Sequence, residues 1–298
     1  MKKLLSLLLM GLIASCSWGK EKSLDAKQIA EAAGTKTTVT PDGVVRIGWP
    51  RTDVKLRVDR MRLNPAAGLG SWAAFQATEK GAMVMGDTVV FQDEVDAAMD
   101  AAFEGGLEVT ALHNHFFFDD PPVYFMHIGG MGDPIKLASG VTKVWDAIKS
   151  VRRKSAQPAK SFGGETPKPG KFDVGSLEKI LGKKATVNQG IPKFSFARQG
   201  MMHHTKVGGS MGLSSWISFS GSDQLAAIAG DFIMTAKEVQ PVLRALRKNH
   251  IHVVALHNHM VGERPAFYFT HFWAKGKAMD LARAFQAVLD AQHRLSRK

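Results

Sequence analysis

Cysteine is almost absent from this 298-residue chain: Cys16 stands alone, which excludes disulfides within the chain and metal sites built on thiolates. Tyrosine is nearly as scarce, at two residues. The apolar run at residues 4–12 is too short to span a bilayer as a permanent helix. Acidic side chains are in the minority, 27 against 39 Lys and Arg, for a formal charge of +12. Apolar and charged fractions of 45% and 22% are ordinary for globular proteins, so disorder is not the theme.

What the chain does contain is a repeat. ALHNHFFFDDPPVYFMH at residues 111–127 returns as ALHNHMVGERPAFYFTH at residues 255–271, so His113, His115 and His127 recur 144 positions later as His257, His259 and His271. At the same offset Gly86-Asp87 and Glu94-Val95 match Gly230-Asp231 and Glu238-Val239, and Tyr124 matches Tyr268. Flanks drift, Phe116-Phe117-Phe118 becoming Met260-Val261-Gly262, while the histidines and Asn114/Asn258 are kept. Two copies are too few and too large for a solenoid, and each is long enough to bury its own core.

Residues 107–118 are rich in β-branched and aromatic types, Asp119-Asp120-Pro121-Pro122 is turn chemistry, and a strand returns from Val123. A hairpin is expected in each copy. Alternation puts His113 and His115 on one strand face; if the chain folds about Pro121, His115 lies opposite His127. Helical patterns fall at residues 25–33, 92–104 and 134–151, with strands at 44–49, 54–58 and a pair at 82–91 around Gly86-Asp87. The fold class expected is α+β, a tandem duplication of a mostly antiparallel sheet domain packed with helices.

Three imidazoles on one face suit a divalent metal, zinc first, with positions left for water or substrate. His113, His115, His127, His257, His259 and His271 are therefore the expected metal ligands. A metal site needs a base or charge partner, and Glu94 and Glu238 are candidates for a fourth ligand or general base. A helix-capping role stays open for them, since Thr235-x-x-Glu238 has capping-box spacing while Pro241 weakens the helix. Asp87 and Asp231 follow a glycine, where Asx-turn bonding is the commoner role. Trp72, Trp216, Phe75 and Phe219 read as core.

The N-terminus reads as a targeting segment: Lys2-Lys3, the apolar run, then Ile13-Ala14-Ser15-Cys16, which looks like a lipobox. The expected organisation is a signal peptide at 1–15, a tether lipidated at Cys16 over 16–23, a first repeat domain at 24–151, a linker at 152–173 and a second repeat domain at 174–298. The linker is rich in Pro, Gly, Ser and Lys. From Arg152 to Lys184 nine basic residues face three acidic ones, a solvated face or a contact for anionic envelope material.

Through GLGSWAAF, MVMGD and VTALHNH…MHIGG, the chain resembles the LppY/LpqO family of bacterial envelope proteins, which implies secretion and a lipid anchor without assigning an activity. More distantly, the HxH pair followed by a further histidine is similar to PPC domains and acetolactate decarboxylases, whose three histidines bind zinc; that implies the same role for both triads. The expected function is thus an exported metal-binding lipoprotein with a His₃ site in each repeat, binding or transforming an oxygen-rich small molecule by Lewis-acid chemistry, as a lyase or hydrolase if it is an enzyme. The competing expectation is a non-catalytic envelope structural or interaction protein whose histidines brace the sheet or store metal. The expected partners are an unidentified small molecule and, through the anchor, the membrane; nucleic acid is excluded, oligomeric state is open, and the expected place is the outer membrane facing the periplasm of a Gram-negative host.

Overall fold

The computed structural model describes residues 23–296, so the targeting segment and Cys16 lie outside the described residues. The first half runs α1 (Ala26–Ala33), β1 (Thr38–Val39), β2 (Val45–Pro50), β3 (Arg57–Val58), β4 (Met61–Arg62), β5 (Gly70–Thr78), β6 (Gly81–Phe91), α2 (Val95–Glu104), β7 (Glu108–His113), β8 (Asp119–Asp120), β9 (Val123–Gly132) and α3 (Pro134–Lys154). The second runs α4 (Val174–Leu181), β10 (Thr186–Asn188), β11 (Ile191–Ala197), β12 (Gly200–Met202), β13 (Thr205–Val207), β14 (Ser214–Gly221), β15 (Ala226–Thr235), α5 (Ala236–Lys248), β16 (His252–His257), β17 (Phe267–Gly276) and α6 (Ala278–Ser296). This is an α+β fold built on a large antiparallel sheet.

Local chemistry fixes the helix ends. Asp25 accepts hydrogen bonds from the backbone N–H groups of Lys27 and Gln28, and Gly34 closes α1 in the left-handed region at φ 60°. Asp133 caps α3 in the same way, with Pro134 at its first position.

The strands form one twelve-stranded sheet in the order β1-β2-β5-β6-β9-β7-β16-β17-β15-β14-β11-β10. The halves join at its centre, where β7 and β16 run antiparallel with Leu112 opposite Leu256. Each half was expected to bury its own core; instead one cluster spans both, with Met126, Ile128 and Leu112 from the first half and Phe232, Leu256 and Phe272 from the second. The buried apolar residues of the helices all belong to this cluster. Two smaller clusters, one around Phe91 and Phe125 and one around Ile233 and Phe269, contain no helix residue. By alternation they lie on the opposite sheet face.

Two expectations change. The hairpin register is Ala111↔His127 and His113↔Phe125, so His115 lies beyond the pairing and not opposite His127. A bulge between Val109 and Ala111 and the diversion of Asp119-Asp120 to pair with Arg57-Val58 shift the turn. Nor do the chains turn at Gly86-Asp87 or Gly230-Asp231: β6 and β15 pass straight through both. Glycine is needed there because a Cβ on Gly230 would sit 2.2 Å from the Trp216 carbonyl oxygen and 2.3 Å from the Phe272 ring. Gly230→Ala is therefore expected to cost at least about 2 kcal/mol of unfolding free energy in urea melts, the range of overpacking. Gly48→Ala, where the nearest atom is 3.7 Å away, is expected to stay within about 1 kcal/mol of the parent.

Candidate functional site

The odd-numbered residues of β7, β9, β16 and β17 carry the imidazoles to the sheet face that has no helix. Ala111 pairs with His127 on one side, and the β7–β16 register puts His257 on its other side. Ala255 pairs with His271, with His113 across from it. His127 and His257 are thus two strand spacings apart, about 10 Å. Asp87 is the cross-strand partner of His127, and Asp231 of His271. Six imidazoles and two carboxylates line the middle of one face, between the two small apolar clusters.

The copies are not identical in detail. In the first, ring centroids of His113 lie 5.2 Å from His115 and 5.0 Å from His127. Nδ1 of His113 meets the Asn114 carbonyl at 3.1 Å, and a carbonyl only accepts, so the neutral ring carries its proton there. Its Nε2 then accepts from Nε2–H of His127 at 2.9 Å. His115 lies flat on Phe125, centroids 3.3 Å apart. In the second copy His259 lies on Phe269 at 3.4 Å, but its Nε2 also comes to 3.2 Å from Asp231 Oδ2. His271 Nδ1 donates to the Gly230 carbonyl at 3.2 Å, which leaves its Nε2 as an acceptor.

Burial sets the protonation. It lowers His115 and His259 below the usual imidazole value, although Asp87 and Asp231 respectively pull the other way. Burial also raises Asp231, against the opposing pull of His271, His259 and His257. Asp87 Oδ1, Asp231 Oδ1 and His257 Nδ1 are buried without a hydrogen-bond partner among the described residues. Such atoms are costly to leave unmet and mark places where a partner is wanted.

The acids paired across from His127 and His271 are Asp87 and Asp231, not the expected glutamates. Glu94 is fully buried at the start of α2, where it accepts from Arg51 Nη1 and Nη2 at 2.8 Å each and from Phe91 N–H at 2.8 Å, with Arg152 Nε also 2.8 Å away. Glu238 accepts from Thr235 N–H at 2.7 Å and from Arg198 at 2.7 Å. Glu94 is an ion-paired carboxylate at the start of α2 that makes no side-chain cap bond, and Glu238 is the capping-box residue of α5; both are committed to arginines, which corrects their candidacy as ligand or base. Burial raises Glu94, whereas for Glu238 the bonds from Arg198 and Thr235 outweigh burial and hold the carboxyl low. Helix α5 continues through Pro241 because Val239, Val242, Leu243 and Leu246 are buried along its face. Asp87 and Asp231 are the acids that matter here, and their signal was present: they recur at the offset of the histidines. Asn114 and Asn258 only tie their loops, donating to the Phe116 and Met260 carbonyls.

One family model matches the chain twice, at residues 27–147 and 175–291, described as Domain of Unknown Function (DUF1259). A search of curated proteins finds no match. Solved structures that match include EutL from Clostridium perfringens, at 11% identity over 72% of this chain and 81% of that one with a TM-score of 0.21, and the trimeric bacterial microcompartment shell protein PduB, at 8% over 87% and 92% with a TM-score of 0.22. EtuB from Clostridium kluyveri matches at 10% over 87% and 91%, TM-score 0.20.

The side-chain arrangement corrects the expectation of a zinc site in each repeat. Among the described residues no group of three or more His, Cys, Asp or Glu is set to hold a metal ion. The physical reason lies in the rings: His115 and His259 lie on phenylalanines, and His113 and His127 bond each other. The zinc-site function goes with that expectation; the lipid anchor, the membrane as partner and the outer-membrane location were expectations resting on the targeting segment and Cys16, which lie outside the described residues. No helix among the described residues is long and apolar enough to cross a membrane.

Glu94→Gln leaves two buried guanidinium groups short of a counter-charge and is expected to cost about 3–5 kcal/mol in equilibrium unfolding. Glu238 behaves differently with pH. Its folded value lies below its unfolded one, so its contribution is present above about pH 4.5 and lost as pH falls through the folded value. Glu238→Gln should flatten that part of a stability profile measured from pH 6 to pH 3.

Proposed function

The chain belongs to the family described as Domain of Unknown Function (DUF1259), and on that premise we propose that it is a proton-linked binding module whose central sheet face takes a ligand rich in N–H or O–H donors. The observation that supports this reading is the set of buried acceptor atoms left unmet, Asp87 Oδ1 in one half and Asp231 Oδ1 in the other. The Nε2 lone pair of His271 adds to the same surplus of acceptors. A donor-bearing group such as an ammonium or guanidinium satisfies them; an anion does not.

Acid works against such binding. Once the imidazoles take up protons, acceptors become donors and the face gains positive charge, so the ligand is expelled. We further propose that the two halves arose by tandem duplication of one unit, a reading supported by the double family match, the repeated element order and the repeated Gly-Asp pairs.

Thermal-shift measurement with a panel of polyamines, guanidines and polyols tests the binding. A ligand at a hundredfold excess over its Kd adds about 2.7 kcal/mol, a rise of several degrees for a chain of this size. That rise is expected at pH 7.5, absent at pH 5, and lost in His257→Gln. Compounds that stabilise equally at both pH values, or none that stabilise at pH 7.5, would contradict the reading.

A further inference from the structure

Away from the imidazole face, the segment between α3 and α4 does not behave as a free linker. Ala159 N–H donates to Asp93 of the first half at 3.0 Å. The Phe162 ring stacks on His252 of the second half, centroids 3.8 Å apart and planes 11° apart. Lys275 Nζ donates to the carbonyls of Gly163 and Glu165, and near its end Asp223 N–H donates to Lys171 O at 3.1 Å while Asp173 N–H donates back to Asp223 at 2.9 Å. The segment is a strap pinned to both halves.

Beneath the strap is a cavity of about 790 Å³, within the size range of small-molecule sites. Its wall takes flat rings from every side: Tyr124 from the first half, Phe162 and Phe172 from the strap, Trp273 from β17. Phe162 is 50% exposed and Val254 39% exposed, so apolar lining is left without apolar cover. The charges in the wall are unequal in availability. Asp93 is engaged by Arg152, and Asp96 by Arg247 and His252. Lys160 and Lys275 also line the cavity, and of the three ammonium protons on Lys275 two go to the strap carbonyls, which leaves one to donate.

We propose that this strap-covered cavity binds a small aromatic carboxylate, its ring system between Trp273 and the Phe162–His252 stack and its carboxylate on Lys275. Flat aromatic walls favour a flat apolar body, and a charge-assisted bond from an ammonium fixes the anionic end. The site is independent of the imidazole face and stands whether or not that face binds anything.

Isothermal titration of the purified chain with naphthalene-2-carboxylate tests it, with decanoate and naphthalene-2-methanamine as matched controls. Saturable one-to-one binding of the naphthoate is expected, at least tenfold tighter than either control. Lys275→Met should weaken it at least tenfold. Because Lys275 also holds the strap, Phe162→Ala is the second variant; it keeps the lysine and should weaken binding several-fold. Bound naphthoate should also slow tryptic cleavage at Lys160 and Lys171. No saturable binding, equal binding of the amine or of decanoate, both variants binding like the parent, or unchanged cleavage would each overturn the proposal.

Discussion

The pairing of β7 with β16 is the contact on which the rest depends. Without it each half would be a six-stranded sheet with an open edge beside its own histidines, and such edges invite pairing with other chains. With Leu112 set against Leu256, the two edges satisfy each other and the helix layers merge over one core. The same register puts His113 and His257 diagonally across the join. A one-residue slip would turn all of these side chains to the opposite face, so the leucine core and the polar face fix each other.

The polar face has a cost that the packing around it sustains. Carboxylates and imidazoles brought half out of water lose hydration, and some of their atoms gain no bond in return. Glu94 and Glu238 show the contrasting solution on the same scaffold, where each carboxylate is buried but met by arginine and by a backbone N–H. Structural acids in this protein are satisfied, whereas Asp87 and Asp231 are not. That difference, more than the number of histidines, marks the central face as a place for chemistry with a partner.

Much of this was legible in the sequence, for identifiable reasons. The limits of α1 and the start of α3 followed from Asp25, Gly34 and Pro134, whose roles are local. The histidine face followed from period-two alternation. The hairpin register did not, because the strand carries a bulge at Val109/Ala111 and Asp119-Asp120 is diverted to β3, whose Arg57 lies 120 − 57 = 63 positions before Asp120. The joining of the sheets was invisible for a similar reason: it rests on the meeting of two strands 144 residues apart, and nothing in either strand announces its neighbour. The glutamates were misjudged since their arginine partners, Arg51, Arg152 and Arg198, come from elsewhere in the fold. The linker was recognisable by its proline, glycine and lysine, but its pinning to Asp93, His252 and Lys275 was not.

The central claim is that the imidazole face binds its ligand in a proton-linked way, with burial holding His115 and His259 below the usual imidazole value. Titration of the histidine ring resonances by two-dimensional NMR, in the parent and in Asp231→Asn, tests it most directly. The account predicts that His115 and His259 titrate below about 6.5, the usual imidazole value, and that removing the Asp231 charge lowers His259 further, because that carboxylate now opposes the effect of burial. Ordinary titration of both rings, with His259 unmoved by the substitution, would contradict it.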